Sequence, residues 1–459
     1  MHSDSKDLFH LIQKYNVPGP RYTSYPTAVQ FSESFDRQHT ESRLAEGRAS
    51  GKPLSLYVHI PFCFSLCWYC GCTKIITRDS NRGDVYLDYL EKEAALIKKA
   101  NGAEPVLKQI HFGGGTPTFL TPLQLERLSD LIHKNFKVHP DAEFSVEIDP
   151  RRCTDEHIIA LSKMSVNRAS LGVQDTNDEV QQAIHRIQPF EQTKKVTNLL
   201  RERGIPDINF DLIYGLPCQS IATFKQTIDD VVALAPNRLA IYSYAHMPGI
   251  MPAQKLLNES EFPSPDEKLT MLMTAIERLS DYGYRYIGMD HFALENDELS
   301  QALDEGTLHR NFQGYSTHAE LEMIALGMSG ISMGDSLYVQ NNKDIGEYYD
   351  ALDEGHLPIK KVLELTSEDR LRRDVIMRIM CRGEIRYNDF YADSAVEFKD
   401  KFRSEIENLD ALEADGLLVK HQEGFNVTEA GRLFLRNVAM VFDGYITRKS
   451  DRPLYSKTV

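Results

Sequence analysis

Residues 54–72 read LSLYVHIPFCFSLCWYCGC, and they join a short apolar run to four closely spaced cysteines. The apolar run is rich in Leu, Val, Ile and Tyr, which is typical of a buried strand. Three cysteines follow it with the spacing Cys-x3-Cys-x2-Cys, at Cys63, Cys67 and Cys70, and Cys72 comes two residues later. The sequence therefore predicts a strand that ends in a thiol-rich loop.

Further strand-like runs alternate with amphipathic stretches over the next two hundred or so residues. The candidate strands after the first are 108–112, 143–148, 168–173, 208–213, 239–244 and 284–288, and the candidate helices include 85–100, 123–136, 191–204 and 266–283. This alternation predicts an α/β protein with βα units around a parallel sheet. Six or more units favour a partial or full parallel (β/α) barrel, and an open doubly wound sheet stays an alternative.

The two ends of the chain depart from this pattern. The segment 18–27, PGPRYTSYPT, contains three prolines that exclude a regular helix or a central strand. We therefore interpret residues 1–35 as an N-terminal arm that lies along another part of the protein, and 36–365 as the catalytic barrel domain. The remaining stretch, 366–459, predicts helices and a short hairpin, a small helical domain that resembles a winged helix.

Composition excludes several classes of protein. The 459 residues carry 52 Lys+Arg against 67 Asp+Glu, a net charge of −15, which makes a general nucleic-acid binder an unlikely class. The apolar runs are strand-sized, so no membrane span is expected, and the N-terminus has no basic head followed by an apolar run. The seven cysteines are an odd number, with four of them within ten residues. We expect a metal or redox site in a reducing compartment, the cytoplasm.

The thiol-rich loop predicts a metal centre, and its spacing favours iron and sulfide over zinc. A zinc site normally uses four Cys or His ligands in two pairs, and no second pair is evident in the sequence. Three thiolates on one loop suit a 4Fe-4S cluster with one open iron, which can bind an exogenous ligand. A zinc protein with a regulatory winged helix is the alternative at this point.

The cysteine spacing after the first strand of a βα barrel resembles the radical S-adenosylmethionine (SAM) superfamily. A longer series of motifs resembles, more narrowly and over essentially the whole chain, the oxygen-independent coproporphyrinogen III oxidase family. The motifs occur in this order: GPRYTSYPT (19–27), YVHIPFC (57–63), GGGTPT (113–118), SVEIDP (145–150), LGVQ (171–174), NFDLIYGLP (209–217), YAHMP (244–248), GMDHFA (288–293) and HRNFQGY (309–315).

The resemblance implies an oxidoreductase of heme biosynthesis. Such an enzyme converts two propionates of coproporphyrinogen III to vinyl groups, giving protoporphyrinogen IX, by means of a SAM-derived 5′-deoxyadenosyl radical. It implies one 4Fe-4S cluster held by Cys63, Cys67 and Cys70, whose open iron binds SAM, and two SAM molecules per chain. It also implies a flavodoxin- or ferredoxin-type electron donor, and we expect a monomer by default.

The resemblance carries over a set of SAM-binding positions. Those around the first SAM are Tyr57, Tyr69, Gly114, Glu147 and Ile331, and those around the second are Gly115, Thr116, Gln174, Arg186, Asp211 and Ala245. The residues themselves support several of these roles: glycines allow close backbone approach, a carboxylate at a strand end is where barrels place ligand groups, and an acid in an apolar strand needs a partner. The catalytic candidates are Tyr57 and Cys72, with Cys72 at the active site but not on the cluster.

Substrate contacts follow from charge alone. A tetrapyrrole with four propionates requires local cations, and the candidates are Arg21 in the arm and Arg310. The arm's Tyr22 and Tyr25 are candidates for closing the pocket over the macrocycle.

Two stretches depart from the family pattern, His185-Arg-Ile187-Gln188 and His318-Ala-Glu320. They bear on the second SAM pocket and on the substrate-facing loop.

A heme-binding or heme-transfer protein without enzymatic activity, built on the same scaffold, is the alternative function. Related proteins of that type typically lack both the arm and Cys72.

Overall fold

The computed structural model describes residues 2–48, 52–101, 106–318, 321–393, 398–446 and 455–458. The chain forms two compact units, each containing more than one segment of the chain. The barrel unit consists of Phe31–Tyr282 and Glu320–Glu364, and the terminal unit consists of Met1–Gln30, Gly283–Ala319 and Leu365–Val459. Both ends of the chain therefore belong to one unit. The domain boundaries that the sequence predicts after residues 35 and 365 stay a prediction.

The strands are β1 Leu54–Ile60, β2 Phe62–Cys63, β3 Ile75–Ile76, β4 Val106–Gly114, β5 Lys137–Ile148, β6 Arg168–Gln174, β7 Asp207–Tyr214, β8 Arg238–Ser243, β9 Tyr284–Gly288, β10 His291–Leu294, β11 His309–Asn311, β12 Gly314–Ser316, β13 Glu322–Leu326, β14 Ile331–Met333, β15 Leu337–Asn341, β16 Ile359–Glu364, β17 Glu384–Arg386, β18 Leu418–His421 and β19 Gly424–Val427. The helices are α1 His2–Tyr15, α2 Arg37–Arg48, α3 Asn81–Asn101, α4 Pro122–Asn135, α5 Asp155–Lys163, α6 Asp178–Ala183, α7 Phe190–Glu202, α8 Ile221–Val232, α9 Pro265–Asp281, α10 Glu298–Glu305, α11 Ile345–Asp353, α12 Ser367–Arg382, α13 Phe398–Lys401, α14 Arg403–Asn408, α15 Asp410–Ala414 and α16 Leu435–Met440.

The sheet of the barrel unit is parallel through its centre. Strands β1, β4, β5, β6, β7 and β8 pair in parallel in this order, and β13 pairs in parallel on the other side of β1. The antiparallel strands β14, β15 and β16 extend the sheet beyond β13. Spatial order follows chain order from β1 to β8 without the reversal of a doubly wound sheet. Over the described strands the order is linear, so the predicted barrel is partial rather than full.

Local sequence explains where the helices of this unit begin. Capping boxes start α4, α5, α8 and α9 at Thr121, Thr154, Ser220 and Ser264, where each hydroxyl accepts a hydrogen bond from a backbone N–H of the first turn. Each of the first three caps follows the end of a parallel strand within a short loop. Each of these strands is therefore followed by a loop at the same edge of the sheet, where barrel enzymes have their active sites.

Strand β9 is the exception among the predicted parallel strands. It pairs antiparallel with β10, and the two are joined by a tight turn in which Gly288, Met289 and Asp290 all have positive φ. A turn this short reverses the chain, whereas a parallel neighbour requires a crossover of a dozen or more residues. The strand predicted at 284–288 is therefore present, but its neighbour in the sheet is the antiparallel β10 and not a parallel strand.

The N-terminal arm lies along the C-terminal part of the terminal unit. The Tyr22 hydroxyl donates to Asp443 over 2.8 Å, and the Tyr25 hydroxyl accepts from the backbone N–H of Gly444 over 3.1 Å. Arg436 donates to the carbonyls of Pro20 and Gly19. Both tyrosine side chains are only 1% exposed, so the expectation that they close over a macrocycle is wrong for this conformation.

The C-terminal part of this unit matches the predicted helix–hairpin–helix order. Strands β17, β19 and β18 form a small antiparallel sheet between α12 and α16. The Thr428 hydroxyl accepts from the N–H of Gly431 over 3.0 Å, in the turn that leads into the last helix. None of the described helices is both long enough and apolar enough to cross a bilayer.

A buried carboxylate links helix α3 to three other segments of the barrel unit. Glu93 of α3 is 1% exposed and accepts hydrogen bonds from three donors. These are the N–H of Gly327 after β13 at 2.7 Å, the Asn341 amide at 2.6 Å and the Tyr348 hydroxyl at 2.7 Å. One side chain thus fixes three separate segments against α3.

We predict that Glu93→Ala lowers the free energy of unfolding by about 3 kcal/mol or more, because the three donors lose their acceptor in a buried site. The matched control on the same helix is Glu91→Gln, which removes a surface pair with Lys134 and is expected to cost less than about 1 kcal/mol. Urea unfolding followed by circular dichroism measures both. Equal losses in the two variants would contradict the role given to the buried carboxylate.

Candidate active site

Most of the predicted site residues lie where the parallel strands of the barrel unit end. The carboxyl ends of parallel strands share one edge of the sheet, so residues far apart in sequence come together there. The residues at or just beyond these ends are Cys63 after β1, Gly114 on β4, Glu147 on β5, Gln174 on β6, Asp211 on β7 and Ala245 after β8. Ile331 begins β14 on the opposite side of β1, and nearby Ser329 approaches His59 of β1 at 3.5 Å.

The cysteine loop is closed at its base by backbone pairing. Strand β2 pairs in parallel with β3, so Phe62 lies beside Ile75 and Cys63 beside Ile76. The ammonium group of Lys74 donates to the carbonyl of Cys70 over 3.1 Å. The loop is therefore held at both ends, and all of its cysteines are free thiols.

In the described part of the chain, the thiols of the loop are not gathered as the ligands of a single metal ion. Among the described residues, no three His, Cys, Asp or Glu side chains converge as ligands of one ion. A four-iron cube takes each thiolate on a different iron, so its ligands spread more widely than those of a zinc ion. The Cys72 thiol donates a hydrogen bond to the Cys70 sulfur, which lowers the pKa of Cys70 to about 6 and raises that of Cys72. Cys70 is thus poised as a thiolate ligand.

Two guanidinium groups converge on the sulfur of Cys67. Arg151 donates to it over 3.4 Å and Arg186 over 3.6 Å. Asp149 pairs with both, at 2.7 Å from Arg151 and 3.4 Å from Arg186. Burial acts to raise the pKa of Asp149, but the two guanidinium groups lower it to about 2. Asp149 and Arg151 were not singled out from the sequence, although they directly follow the motif residue Glu147.

Arg186 has donor capacity that the protein leaves unused. It is buried, and it donates to the carbonyl of Gly172 over 2.6 Å. Its Nε atom is buried and has no hydrogen-bond partner within the described ranges. An unpaired buried donor is rare in native proteins and fits a ligand that carries an acceptor.

Contacts with the protein itself require glycine in the run that follows β4, apart from any ligand that the run binds. A Cβ on Gly115 would lie 2.7 Å from the carbonyl oxygen of Phe62, and Gly115 donates its N–H to Ile60 over 2.8 Å. Gly114 has a φ of +114°, and a Cβ there would lie 2.7 Å from the His59 ring. Thr116 continues the contact by donating its N–H to Phe62 over 2.9 Å. Only glycine therefore lets the β4 end lie against the cysteine loop.

Glu147 has one side in contact with the protein and one side open. Its carboxylate lies 3.2 Å from His111 Nε2 and accepts from the N–H of Gly114 over 3.2 Å. Burial acts to raise its pKa, but His111 and the Gly114 N–H lower it, so the group is ionised. The side chain is still 45% exposed, which leaves oxygen lone pairs available to a ligand.

Tyr57 and His59 form a buried pair beside this carboxylate. His59 Nε2 lies 3.0 Å from the carbonyl of Thr73, and a carbonyl only accepts, so Nε2 carries the proton. Nδ1 then accepts from the Tyr57 hydroxyl over 3.1 Å. Burial lowers the pKa of His59 and raises that of Tyr57 well above its usual value, so both groups are neutral. Cys72 lies near enough to Tyr57 that a thiolate there would raise the pKa of the tyrosine further.

Asp211 is held by a small polar network on β6 and β7. It accepts from Ser170 over 2.9 Å and from Asn209 over 2.9 Å, and Asn209 also donates to Ser170. Burial raises its pKa to about 6, with the Glu147 charge acting in the same direction. The predicted partner of this acid in an apolar strand is therefore protein, and the acid titrates near neutral pH.

A buried amide ties two predicted cofactor-binding positions together. Gln254 donates to the carbonyl of Tyr69 over 3.1 Å and to that of Ala245 over 3.2 Å, and it accepts from the N–H of Met247. The Tyr69 ring packs against an apolar cluster that includes Tyr244. Gln254 was missed because it lies in an irregular segment that no sequence motif covers.

The departure from the family pattern at His185 has a structural role. The imidazole stacks on Trp68 of the cysteine loop with centroids 5.1 Å apart, and its Nδ1 lies 2.8 Å from the carbonyl of Leu66. His185 has a φ of 55°, a conformation that Asn also tolerates. Trp68 thus packs against His185. In the second departure, residues 319 and 320 lie outside the described residues.

Comparison with protein families matches residues 57–231 to the Radical SAM superfamily and residues 365–434 to the HemN C-terminal domain. The Radical SAM match implies a 4Fe-4S cluster and SAM, and it leaves no support for the zinc alternative. The second match covers the beginning of the predicted C-terminal helical domain. The fold is therefore a radical SAM partial barrel with a C-terminal helical region, as predicted.

Curated relatives match along nearly the whole chain. The oxygen-independent coproporphyrinogen III oxidase of Pseudomonas aeruginosa is 44% identical over 441 residues, which is 95% of both chains. The enzyme of the same name from Escherichia coli K12 is 43% identical over 450 residues, or 98% of both chains. The solved structure of coproporphyrinogen III oxidase (HemN) from Escherichia coli, a radical SAM enzyme, has a TM-score of 0.89, with 93% of this chain and 97% of that chain covered. This chain belongs to the oxygen-independent coproporphyrinogen III oxidase family of radical SAM enzymes.

Proposed function

We propose that this chain catalyses the oxygen-independent oxidative decarboxylation of two propionates of coproporphyrinogen III, giving the vinyl groups of protoporphyrinogen IX in heme biosynthesis. The observation that carries the proposal is near-full-length identity to oxidases of that name. The convergence of the motif residues at one edge of the sheet supports it. Nothing in the comparisons favours a non-enzymatic heme-binding protein.

The cysteine loop holds the cluster in this proposal. Cys63, Cys67 and Cys70 are its ligands, and the guanidinium groups of Arg151 and Arg186 donate N–H···S hydrogen bonds to Cys67. Hydrogen bonds and positive charge beside a cluster thiolate stabilise its more reduced, more negative state. These residues therefore favour one-electron reduction in a chain whose overall charge is negative.

We assign two SAM molecules to the strand ends. The first contacts Tyr57, Tyr69, Gly114, Glu147 and Ile331, and the second contacts Gly115, Thr116, Gln174, Arg186, Asp211 and Ala245. The open face of Glu147 supports binding of an ammonium or a ribose, and the unpaired Nε of Arg186 supports binding of a carboxylate. Together the bound cluster and SAM supply the carbon radical that removes a hydrogen atom from a propionate.

The chain's own residues prepare this chemistry. His59 accepts a hydrogen bond from the Tyr57 hydroxyl and thereby fixes the tyrosine ring in the site. Tyr57 and Cys72 are the catalytic candidates, and both are neutral, so neither adds negative charge beside a reacting propionate.

We also propose a flavodoxin- or ferredoxin-type electron donor, a monomer and a cytoplasmic location. The free cysteines support the reducing compartment.

Anaerobic turnover tests the function. The reconstituted protein is incubated with SAM, a one-electron reductant and coproporphyrinogen III, and the products are separated by chromatography. Formation of protoporphyrinogen IX together with 5′-deoxyadenosine is the expected result. Heme binding without any decarboxylated product would overturn the proposal in favour of the non-enzymatic alternative.

We predict that Cys63→Ala, Cys67→Ala and Cys70→Ala each lose the cluster, because a site with two thiolates does not hold the cube. Iron and sulfide analysis and visible absorbance of anaerobically reconstituted protein measure the loss. Cys153→Ala is the matched control, since this thiol lies outside the loop and should leave the iron content unchanged. Wild-type iron content in Cys67→Ala would contradict the ligand assignment.

For Cys72→Ser we predict the opposite pattern. The iron content should stay at the wild-type level, because Cys72 is not a ligand, while formation of protoporphyrinogen IX falls by at least about 100-fold. Iron analysis and the turnover assay on one preparation separate the two effects. Loss of the cluster in this variant would show that Cys72 is a ligand.

The pKa of Asp211 predicts a pH dependence of SAM binding. A group with a pKa of about 6 is protonated as the pH falls below that value, and a protonated carboxyl is a poorer acceptor for a ribose diol. SAM affinity should therefore fall by about tenfold between pH 7 and pH 5. Asp211→Asn should bind SAM more weakly and without this slope. Anaerobic equilibrium dialysis measures affinity and stoichiometry, and an unchanged slope in the variant refutes the assignment.

A further inference from the structure

Arg310 of the terminal unit is buried, and part of the hydrogen-bonding capacity of its side chain is unused. It lies on β11 and is 4% exposed. Its Nε and Nη1 atoms are buried, and neither has a hydrogen-bond partner within the described ranges. The guanidinium carbon lies 4.7 Å from the ring centroid of Tyr315. The guanidinium is therefore held inside the unit against an aromatic face, with its Nε and Nη1 donors unused.

The position of this guanidinium is built by several contacts. Arg310 and Tyr315 are opposite each other in the β11–β12 hairpin. The Tyr315 hydroxyl donates to the carbonyl of Met380 over 2.9 Å, which fixes the ring. His291 packs edge-on against the same ring, with centroids 5.4 Å apart. The aromatic support is thus rigid, and Arg310 is positioned rather than loosely enclosed.

Neighbouring arginines differ from Arg310 in having protein partners. Arg21 forms an ion pair with Asp290 at 3.5 Å. Arg436 donates to the carbonyls of Pro20 and Lys457, over 2.9 Å and 2.8 Å. Burial lowers the pKa of Arg436 to about 10, and the charges of Arg21 and Arg310 act in the same direction. Cationic groups are therefore concentrated here, in a chain with a net charge of −15.

Burying a guanidinium without hydrogen bonds destabilises a folded chain, because the donors lose water and gain nothing. An anion that accepts those donors removes the cost. Carboxylate oxygens accept strong, charge-assisted hydrogen bonds from the N–H groups of a guanidinium. The unpaired donors thus have the chemistry of a carboxylate receptor.

We propose that Arg310 is the anchor of a carboxylate-binding site in the terminal unit, and that its ligand is a propionate of the porphyrinogen. This inference rests on the proposed function, which supplies a substrate with four such groups. Of the two candidate cations that the sequence offers, Arg310 is chosen because Arg21 already pairs with Asp290. Arg310 is a binding residue and takes no part in radical chemistry.

The test compares wild type, Arg310→Gln and Arg310→Lys in the full-length reconstituted protein. The probes are coproporphyrin III, which is a stable oxidised analogue, and its tetramethyl ester, which has no carboxylates. Free propionate is a third probe, and it distinguishes a general carboxylate site from one that needs the macrocycle. Arg285→Gln is the matched control, because this arginine of the same unit pairs with Asp304 instead. Fluorescence titration measures binding, and KM and kcat for coproporphyrinogen III are measured anaerobically.

We expect Arg310→Gln to weaken coproporphyrin III binding and to raise KM by about tenfold or more, with a smaller change in kcat. Arg310→Lys should retain part of the affinity. The ester should bind wild type and Arg310→Gln equally, and Arg285→Gln should behave like wild type. Iron content and SAM binding should be unchanged in all variants.

A stability measurement separates binding from a structural role. Without ligand, Arg310→Gln should melt no lower than wild type, because the buried Nε and Nη1 of the guanidinium have no hydrogen bonds to lose. A lower melting temperature with unchanged KM would overturn the inference and make Arg310 structural. Wild-type turnover with an unchanged KM in Arg310→Gln would overturn the inference alone. Absence of turnover in wild type would overturn the proposed function and the inference with it.

Discussion

The close approach of the β4 end to the base of the cysteine loop is the constraint on which the site depends. Gly115 donates its N–H to Ile60 and Thr116 donates to Phe62, and a Cβ on Gly115 would overlap the backbone of this segment. The contact joins the first strand, the thiol-rich loop and the next strand into one piece. Because the cysteines follow within the same loop, their positions relative to the strand ends are set by main-chain hydrogen bonds rather than by flexible side chains.

Positive charge is concentrated at the site although the chain as a whole carries a net negative charge. The chain is acidic, yet Arg151 and Arg186 converge on the sulfur of Cys67, and Asp149 holds both in place. Across the same edge, Glu147 is ionised while Asp211 has a pKa of about 6. Two carboxylates close enough to interact thus differ in pKa, since His111 stabilises the charge of Glu147 and burial disfavours the charge of Asp211. The site therefore offers different acceptors to chemically similar ligand groups.

The sequence predicted the parts of the fold that follow from local pattern. Alternating apolar runs located the six parallel strands β1 and β4–β8, and the cysteine spacing located the loop. It did not predict that β9 pairs with β10, because a tight turn and a crossover begin with similar residues. Asp149, Arg151 and Gln254 escaped notice because their roles arise from tertiary contacts with residues far away in sequence. Tyr22 and Tyr25 were misassigned for the same reason, since burial against Asp443 and Gly444 is invisible in a linear motif.

The amide of Gln254 has a mechanical consequence. By binding the carbonyls of Tyr69 and Ala245 at once, it makes the cysteine loop and the segment after β8 a single rigid body. Neither segment can shift without carrying the other or breaking a buried hydrogen bond. A displacement of the cysteine loop is thereby transmitted to the segment after β8, more than a hundred residues away in sequence.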